Sequence, residues 1–150
     1  MKKFLTPIVF IIGCELVGFI GSAFTFSSIP NWYVYLNKPI FSPPNWLFGP
    51  VWTLLYALMG ISAYLVWKKK GSLNLFLIQL GLNFIWTPIF FGARNLFLAL
   101  VVIVVMWIYI VKTIKAFAKI DKTASYLLYP YLAWVSFATI LNFSIWFLNK

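Results

Sequence analysis

The chain has 150 residues, of which 63% are hydrophobic and only 9% are charged. A soluble domain carries about 25% charged residues, so this composition excludes an ordinary soluble domain. The net charge of +10 does not indicate a nucleic-acid partner, because the lysines stand in short clusters between apolar runs. With one cysteine and no histidine, the chain has no disulfide framework and no Cys/His metal site, and we expect neither a metal nor a cofactor.

Five long uncharged stretches account for most of the chain. A membrane-spanning helix needs about 20 apolar residues, with a range of about 17–25, so five spans fit and little is left over. The sequence therefore predicts an all-α membrane protein, a single five-helix transmembrane domain over residues 1–150 with a long loop between helices 1 and 2. The predicted spans are residues 5–26, 43–67, 72–91, 96–117 and 126–148.

Helix 1 is predicted to stay in the mature protein, because its apolar stretch is too long for a signal peptide and four more spans follow. Glu15 is the only acid within a predicted span, and an ionisable residue inside a membrane is a functional hypothesis. Two interpretations stay open. Glu15 is either a neutral carboxyl hydrogen-bonded to a neighbouring helix, or a group that carries a proton and a cation, a role that resembles the first-helix glutamate of small multidrug antiporters.

The connection after helix 1, residues 27–44, interleaves four prolines with aromatic side chains. Inside three later spans, polar and large aromatic residues recur at helical spacing. These stripes are Trp52, Tyr56, Met59 and Ala63 on helix 2; Gln79, Asn83, Trp86 and Phe90 on helix 3; and Tyr131, Trp134, Ala138, Leu141 and Asn142 on helix 5. Such stripes are typical of an apolar ligand pocket with a few orienting groups, which the loop would cover. The alternative, that they only hold the helices together, stays open.

The basic residues are distributed unevenly among the connections. With the N-terminus in the cytoplasm, nine basic residues fall inside and three (Lys38, Arg94 and Lys150) fall outside. An excess of Lys and Arg marks cytoplasmic loops, so the sequence predicts a multi-pass protein of the cell membrane with its N-terminus cytoplasmic and its C-terminus outside. Contact with anionic membrane lipid explains the lysines.

Classical catalytic groups are missing from the sequence. It has no histidine, no carboxylate pair and no glycine-rich phosphate loop, which excludes hydrolysis and phosphoryl transfer by known constellations. Any chemistry would involve indoles or a bound ligand, such as photo-oxidation of a bound pigment.

Three long motifs resemble the translocator protein (TspO/MBR) family, also called tryptophan-rich sensory proteins or peripheral-type benzodiazepine receptors. They are WY…LNKP…PPNW…GPVWTLLY within residues 32–56, QLGLNFIWTPIFFGAR over residues 79–94, and PYLAWVSFA…LN within residues 130–142. They follow one another in register along nearly the whole chain, and the short tails and lysine-rich loops suggest a bacterial member.

The resemblance implies a five-helix bundle, commonly a homodimer, with a pocket open toward the first loop. Family members bind porphyrins, notably protoporphyrin IX, and isoquinoline-carboxamide or benzodiazepine-type drugs, and some bacterial members degrade protoporphyrin in light. Two tryptophans implicated in that reaction match Trp52 and Trp134, our candidate catalytic residues. Together with the stripes, the resemblance predicts a ligand site of Tyr33, Pro43, Trp52, Tyr56, Asn83, Trp86, Phe90, Tyr131, Trp134, Ala138, Leu141 and Asn142.

The sequence departs from the family pattern at two places. Animal members bind cholesterol through a helix 5 motif whose hydroxyl and cation are missing at Phe143 and Phe147, so tight cholesterol binding is not expected. Leu98 stands where animal members have a pocket tryptophan. A porphyrin's propionates are expected to point to the loop side, near Lys38 or Arg94.

The leading interpretation is an integral membrane receptor or sensor for porphyrins and other hydrophobic ligands, with light-dependent breakdown of protoporphyrin as its chemistry. The alternative is a small membrane transporter of porphyrins or hydrophobic cations, proton-coupled through Glu15. A third is a structural or regulatory partner without a ligand. The expected partners are an apolar small molecule, membrane lipid and a second copy of the chain, and no nucleic acid.

Overall fold

The computed structural model describes the backbone of residues 2–150 and all side chains of these residues except those of residues 2–4, 24 and 26. Lys2 and Lys3, two of the nine basic residues predicted on the cytoplasmic side, therefore lie outside the described side chains. The helices are α1 (Lys2–Asn31), α2 (Phe48–Lys68), α3 (Asn74–Thr87), α4 (Leu96–Ala118), α5 (Lys122–Leu127) and α6 (Tyr129–Asn149). Among the described residues, five segments are long and apolar enough to cross a membrane, the last formed by α5 and α6 together, which confirms the predicted fold class.

The first helix runs five residues beyond its predicted end, because the carbonyls of its last turn find donors. The amide of Asn31 donates to the carbonyl of Ser27 at 2.9 Å, and the backbone N–H of Trp32 donates to the carbonyl of Ser28 at 2.8 Å. The remaining loop contains two single 3₁₀ turns, Tyr33–Tyr35 and Asn45–Leu47.

The α-helical part of the third span ends at Thr87, before the predicted end at residue 91, and Pro88 begins the next turn. Proline has no backbone N–H to continue the α-helical ladder, and the chain passes through one π turn, Pro88–Gly92. Arg94 then adopts a left-handed conformation (φ 57°). The side-chain oxygen of Asn95 accepts a hydrogen bond from the backbone N–H of Leu98 at 3.0 Å, which caps the N-terminus of α4.

The fifth span begins four residues earlier than predicted, because Asp121 caps the short α5. Its carboxylate accepts a hydrogen bond from the backbone N–H of Ala124 at 3.1 Å. The chain then turns at Leu128, and Pro130 occupies the first turn of α6, where a missing N–H costs nothing.

Around the bundle, α1 lies between α2 and α3, α4 lies between α3 and α6, and α5 closes the ring against α2. The backbones of α1 and α2 meet at Gly60, where a β-carbon would stand 2.6 Å from the Cα of Ile11; such close approach is how membrane helices pack without a hydrophobic driving force. Two groups of buried apolar residues fill the interior, a larger one at the lysine-rich end and a smaller one beneath the loop.

Candidate functional site

A cavity of about 500 Å³ lies inside the bundle between these two groups of buried residues. Small-molecule sites typically have about 300–1,000 Å³, so a drug-sized ligand fits. The predicted site residues that line it are Tyr33, Trp52, Tyr56, Asn83, Trp86, Phe90, Trp134, Ala138, Leu141 and Asn142. The three stripes of helices 2, 3 and 5 thus converge on one space.

Two predicted site residues do not line the cavity. Pro43 lies in the loop away from its wall. Tyr131 is fully buried one layer behind the wall, where its hydroxyl accepts a hydrogen bond from the amide of Asn83 at 2.8 Å and donates to the side-chain oxygen of Gln79 at 2.7 Å. Tyr131 therefore supports Asn83 without facing the cavity.

The floor of the cavity is a chain of buried hydrogen bonds that joins α2, α3 and α6. The hydroxyl of Tyr56 donates to the side-chain oxygen of Asn83 at 2.5 Å, and the amide of Asn83 continues to Tyr131. Because unpaired polar groups are costly in an apolar interior, this network holds the Asn83 side chain in one orientation.

A second network holds Trp86 as one wall. Its indole N–H donates to the side-chain oxygen of Asn142 at 3.1 Å, and the amide of Asn142 donates to the carbonyl of Leu96 at 3.1 Å. The Trp86 ring stacks on Phe90 with centroids 4.9 Å apart. A flat aromatic surface is thereby held by α3, α4 and α6.

Trp52 and Trp134 line the cavity, and no described residue accepts a hydrogen bond from their indole N–H groups. Trp52 packs 5.6 Å from the ring of Tyr56, and Trp134 packs 6.2 Å from the ring of Phe48. Within the described part of the chain, the indoles that donate a hydrogen bond are those of Trp86 and Trp107. Trp52 and Trp134 therefore offer both an aromatic face and a donor to a ligand.

Tyr33 covers the loop end of the cavity. Only 1% of it is exposed, its ring packs 5.7 Å from that of Phe91, and burial raises the pKa of its hydroxyl. The ammonium of Lys38 donates to three loop carbonyls at 3.0–3.3 Å, those of Tyr33, Val34 and Leu36.

The guanidinium of Arg94 lies 5.5 Å from the centre of the Trp32 ring. Neither Lys38 nor Arg94 lines the cavity. The cations expected to receive propionates are thus engaged with the loop in this structure.

One face of α1 also lines the cavity, and sequence reasoning missed it except for Glu15. Its members are Glu15, Gly18, Phe19, Ser22, Thr25 and Ile29, at helical spacing. The sequence signal for this face of α1 was that small and polar residues recur at helical spacing on the same side of the helix as Glu15. The other missed lining residues are Asn45, Phe48, Gly49, Thr53, Thr87, Phe91, Ile103, Met106 and Ile145, most of which are apolar and carry no signal.

The cavity wall continues onto the outer surface of the bundle between α1 and α2. Phe19 is 74% exposed, and Gly49 and Thr53 on the facing helix are exposed as well. The resemblance implies a pocket that opens toward the first loop. In this structure Tyr33 covers the loop end of the cavity, and the exposed lining residues lie on the side of the bundle that lipid would contact.

These features define a class: a multi-pass α-helical membrane protein whose bundle encloses an aromatic cavity. The chain matches the TspO/MBR family over residues 10–147. It is 47% identical to the tryptophan-rich protein TspO of Chlorobaculum tepidum, across 99% of this chain and 99% of that protein. It is 43% identical to the translocator protein of Homo sapiens, across 90% of this chain and 82% of that protein. The chain belongs to the TspO/MBR family, which confirms the resemblance of its motifs.

Proposed function

We propose that this protein is a membrane receptor or sensor that binds porphyrins, protoporphyrin IX among them, and other hydrophobic ligands in the cavity. We further propose light-dependent breakdown of the bound porphyrin as its chemistry. Relatives named translocator protein and tryptophan-rich sensory protein support the general role. The observation that carries the proposal is the convergence of Trp52, Trp86 and Trp134 on one cavity.

The cavity has enough apolar surface to bind such a ligand without a charged clamp. At about 0.3 kcal/mol per heavy atom for drug-sized ligands, burial of about 30 atoms yields about 9 kcal/mol, a dissociation constant of about 1 μM or slightly lower. The flat ring of Trp86 and the free indoles of Trp52 and Trp134 suit a flat aromatic ligand, since offset and edge-to-face contacts stabilise aromatic pairs by about 0.5–1.5 kcal/mol each.

The proposal is tested by titrating the purified protein with protoporphyrin IX in darkness and under illumination. We expect Trp52→Phe and Trp134→Phe each to weaken binding about threefold to tenfold and to slow the light-dependent loss of porphyrin. Trp67→Phe and Trp146→Phe are matched controls on the same two helices, because neither residue lines the cavity. If all four variants behave alike, the cavity is not the porphyrin site.

A transporter is the second candidate, and the presence of Glu15 in the cavity wall favours it. A carboxyl beside a ligand can exchange a proton during each cycle of uptake. Porphyrin uptake driven by a pH gradient in proteoliposomes, abolished by Glu15→Gln, would support transport over sensing. Binding without uptake in the wild type would reject it.

We also propose the orientation and assembly that the sequence and the family indicate, with the lysine-rich connections in the cytoplasm and two copies forming a homodimer. Lys68, Lys69 and Lys70 are exposed at the end of α2, the same end as Lys119 and Lys122. Labelling of single cysteines in a Cys14→Ser background, placed at Ser72 or at Asn95, tests the orientation: the first should react only from the cytoplasmic side.

A further inference from the structure

Glu15 is a carboxyl inside the membrane that the described protein leaves without a partner. It lies ten residues into the span that starts at Leu5, about 15 Å along the helix at 1.5 Å per residue. No described residue makes a hydrogen bond or an ion pair with it, so the hydrogen bond to a neighbouring helix that the sequence suggested is not formed. The other acid of the chain, Asp121, is paired with Lys69 at 3.1 Å.

Among the side chains that the structure describes, none that lines the cavity faced by Glu15 is basic. Lys38 and Arg94, the cations of the loop end, are engaged with loop carbonyls and with the Trp32 ring. An ionised carboxylate away from water is costly unless it is paired. Glu15 is therefore either neutral or balanced by a positive charge that arrives with the ligand.

The surroundings of Glu15 suit an organic cation. Gly18, one turn along the same face of α1, lies directly against the ring of Tyr56, and the ring of Trp52 packs 5.6 Å from that of Tyr56. Faces of tyrosine and tryptophan attract ammonium groups, most strongly where water is excluded. The aromatic surface continues to Trp86.

We propose that the cavity also binds amphipathic organic cations, with the ammonium group against Glu15 and the apolar body between Trp52 and Trp86. This inference rests on the proposed function, in that it takes the cavity to be the ligand site, and it adds a ligand class of opposite charge to the porphyrin dianion. The exposed lining between α1 and α2 gives such amphiphiles a route from the lipid.

The test compares two ligands of one shape, (4-phenylbutyl)trimethylammonium and its uncharged analogue with a tert-butyl head. Each is titrated against the wild type and Glu15→Gln by tryptophan fluorescence. We expect the variant to weaken binding of the cation about tenfold or more and to change that of the neutral analogue less than about twofold. Because the affinity of each ligand is compared between the wild type and the variant, the partition of that ligand into detergent or lipid affects both values equally. Asp121→Asn, which removes the acid outside the cavity, should change neither affinity.

Two further measurements separate a charge effect from a loss of fold, and failure of this inference from failure of the proposed function. Glu15→Asp should keep the preference for the cation, which separates a charge effect from a loss of fold. Protoporphyrin IX is titrated in parallel: if the wild type binds porphyrin but not the cation, this inference fails and the proposed function stands. If it binds neither, both fail. Equal weakening of cation and neutral analogue by Glu15→Gln would also overturn the inference.

Discussion

The ring of Tyr56 lies directly against Gly18, so that a β-carbon at this position would overlap the ring. The same tyrosine donates the 2.5 Å hydrogen bond to Asn83 that forms the floor of the cavity. The absence of a side chain on α1 thus determines where a hydroxyl from α2 meets an amide from α3.

We expect Gly18→Ala to push the Tyr56 ring away and to break its bond to Asn83. Overpacking of this kind costs about 1–3 kcal/mol, which thermal denaturation in detergent will detect. Gly13→Ala is the matched control, because it lies on the same helix and its β-carbon would meet nothing within 4 Å. Equal midpoints for the two variants would show that the ring moves aside freely.

The five membrane spans were predictable from the sequence. Charged residues are so rare in the chain that their positions mark the ends of the spans. The inward faces of α2, α3 and α6 were predictable for a related reason. Polar side chains such as Asn83 and Asn142 avoid lipid, so their helical spacing shows which face points inward.

The helical spacing of residues in the sequence did not predict which turn of a helix reaches the cavity, nor the contacts within the loop. Tyr131 and Trp134 belong to one stripe, yet Tyr131 is buried behind the wall and Trp134 lines the cavity, because helical spacing gives the face of a helix but not which of its turns reaches the cavity. The role of Lys38 depends on loop carbonyls that converge only in the folded chain. The lining face of α1 was missed because glycine and serine also occur in ordinary helix contacts.

The loop is tied to the end of α6 by Asn149. Its side chain accepts a hydrogen bond from the backbone N–H of Asn37 at 3.0 Å and donates one to the carbonyl of Asn37 at 2.8 Å. We expect Asn149→Ala to free the loop, so that protoporphyrin IX dissociates faster and protease cuts within residues 32–44 sooner.

The same exposed bonds contribute little to overall stability, at about 0.5–1.5 kcal/mol each, so the thermal midpoint of Asn149→Ala should fall only slightly. Asn74→Ala, at an exposed position at the start of α3, is the control. An unchanged dissociation rate in Asn149→Ala would mean that the loop does not limit release.

The ionisation of Asp121 makes the stability of the fold depend on pH. It lies outside the spans, and the backbone N–H of Ala124, followed by the ammonium of Lys69, holds the pKa of its carboxyl below the ordinary value of 3.8. A group with a lowered pKa in the folded state stabilises the fold when ionised. That stabilisation is complete above the ordinary pKa and is lost as the pH falls through the lowered one.

We therefore expect Asp121→Asn to be less stable than the wild type near neutral pH, and the difference to shrink below about pH 4. Thermal midpoints measured from about pH 3 to pH 7 will show whether the two curves converge. Glu15, the only other acidic side chain of the chain, is common to both proteins and cancels in the difference. Parallel curves would show that the Asp121 cap does not couple stability to pH.

The exposed lining between α1 and α2 predicts that ligands also enter from the lipid, beside the path at the loop end. Thr53 lines the cavity and is exposed on the outer surface, so Thr53→Trp should narrow this gap and slow association and dissociation together. Leu54→Trp is the control, because Leu54 is exposed but does not line the cavity. Stopped-flow quenching of tryptophan fluorescence by protoporphyrin IX measures both rates. If Thr53→Trp leaves them unchanged while Asn149→Ala speeds release, ligands pass through the loop end, and Tyr33 is the side chain that must move to admit them.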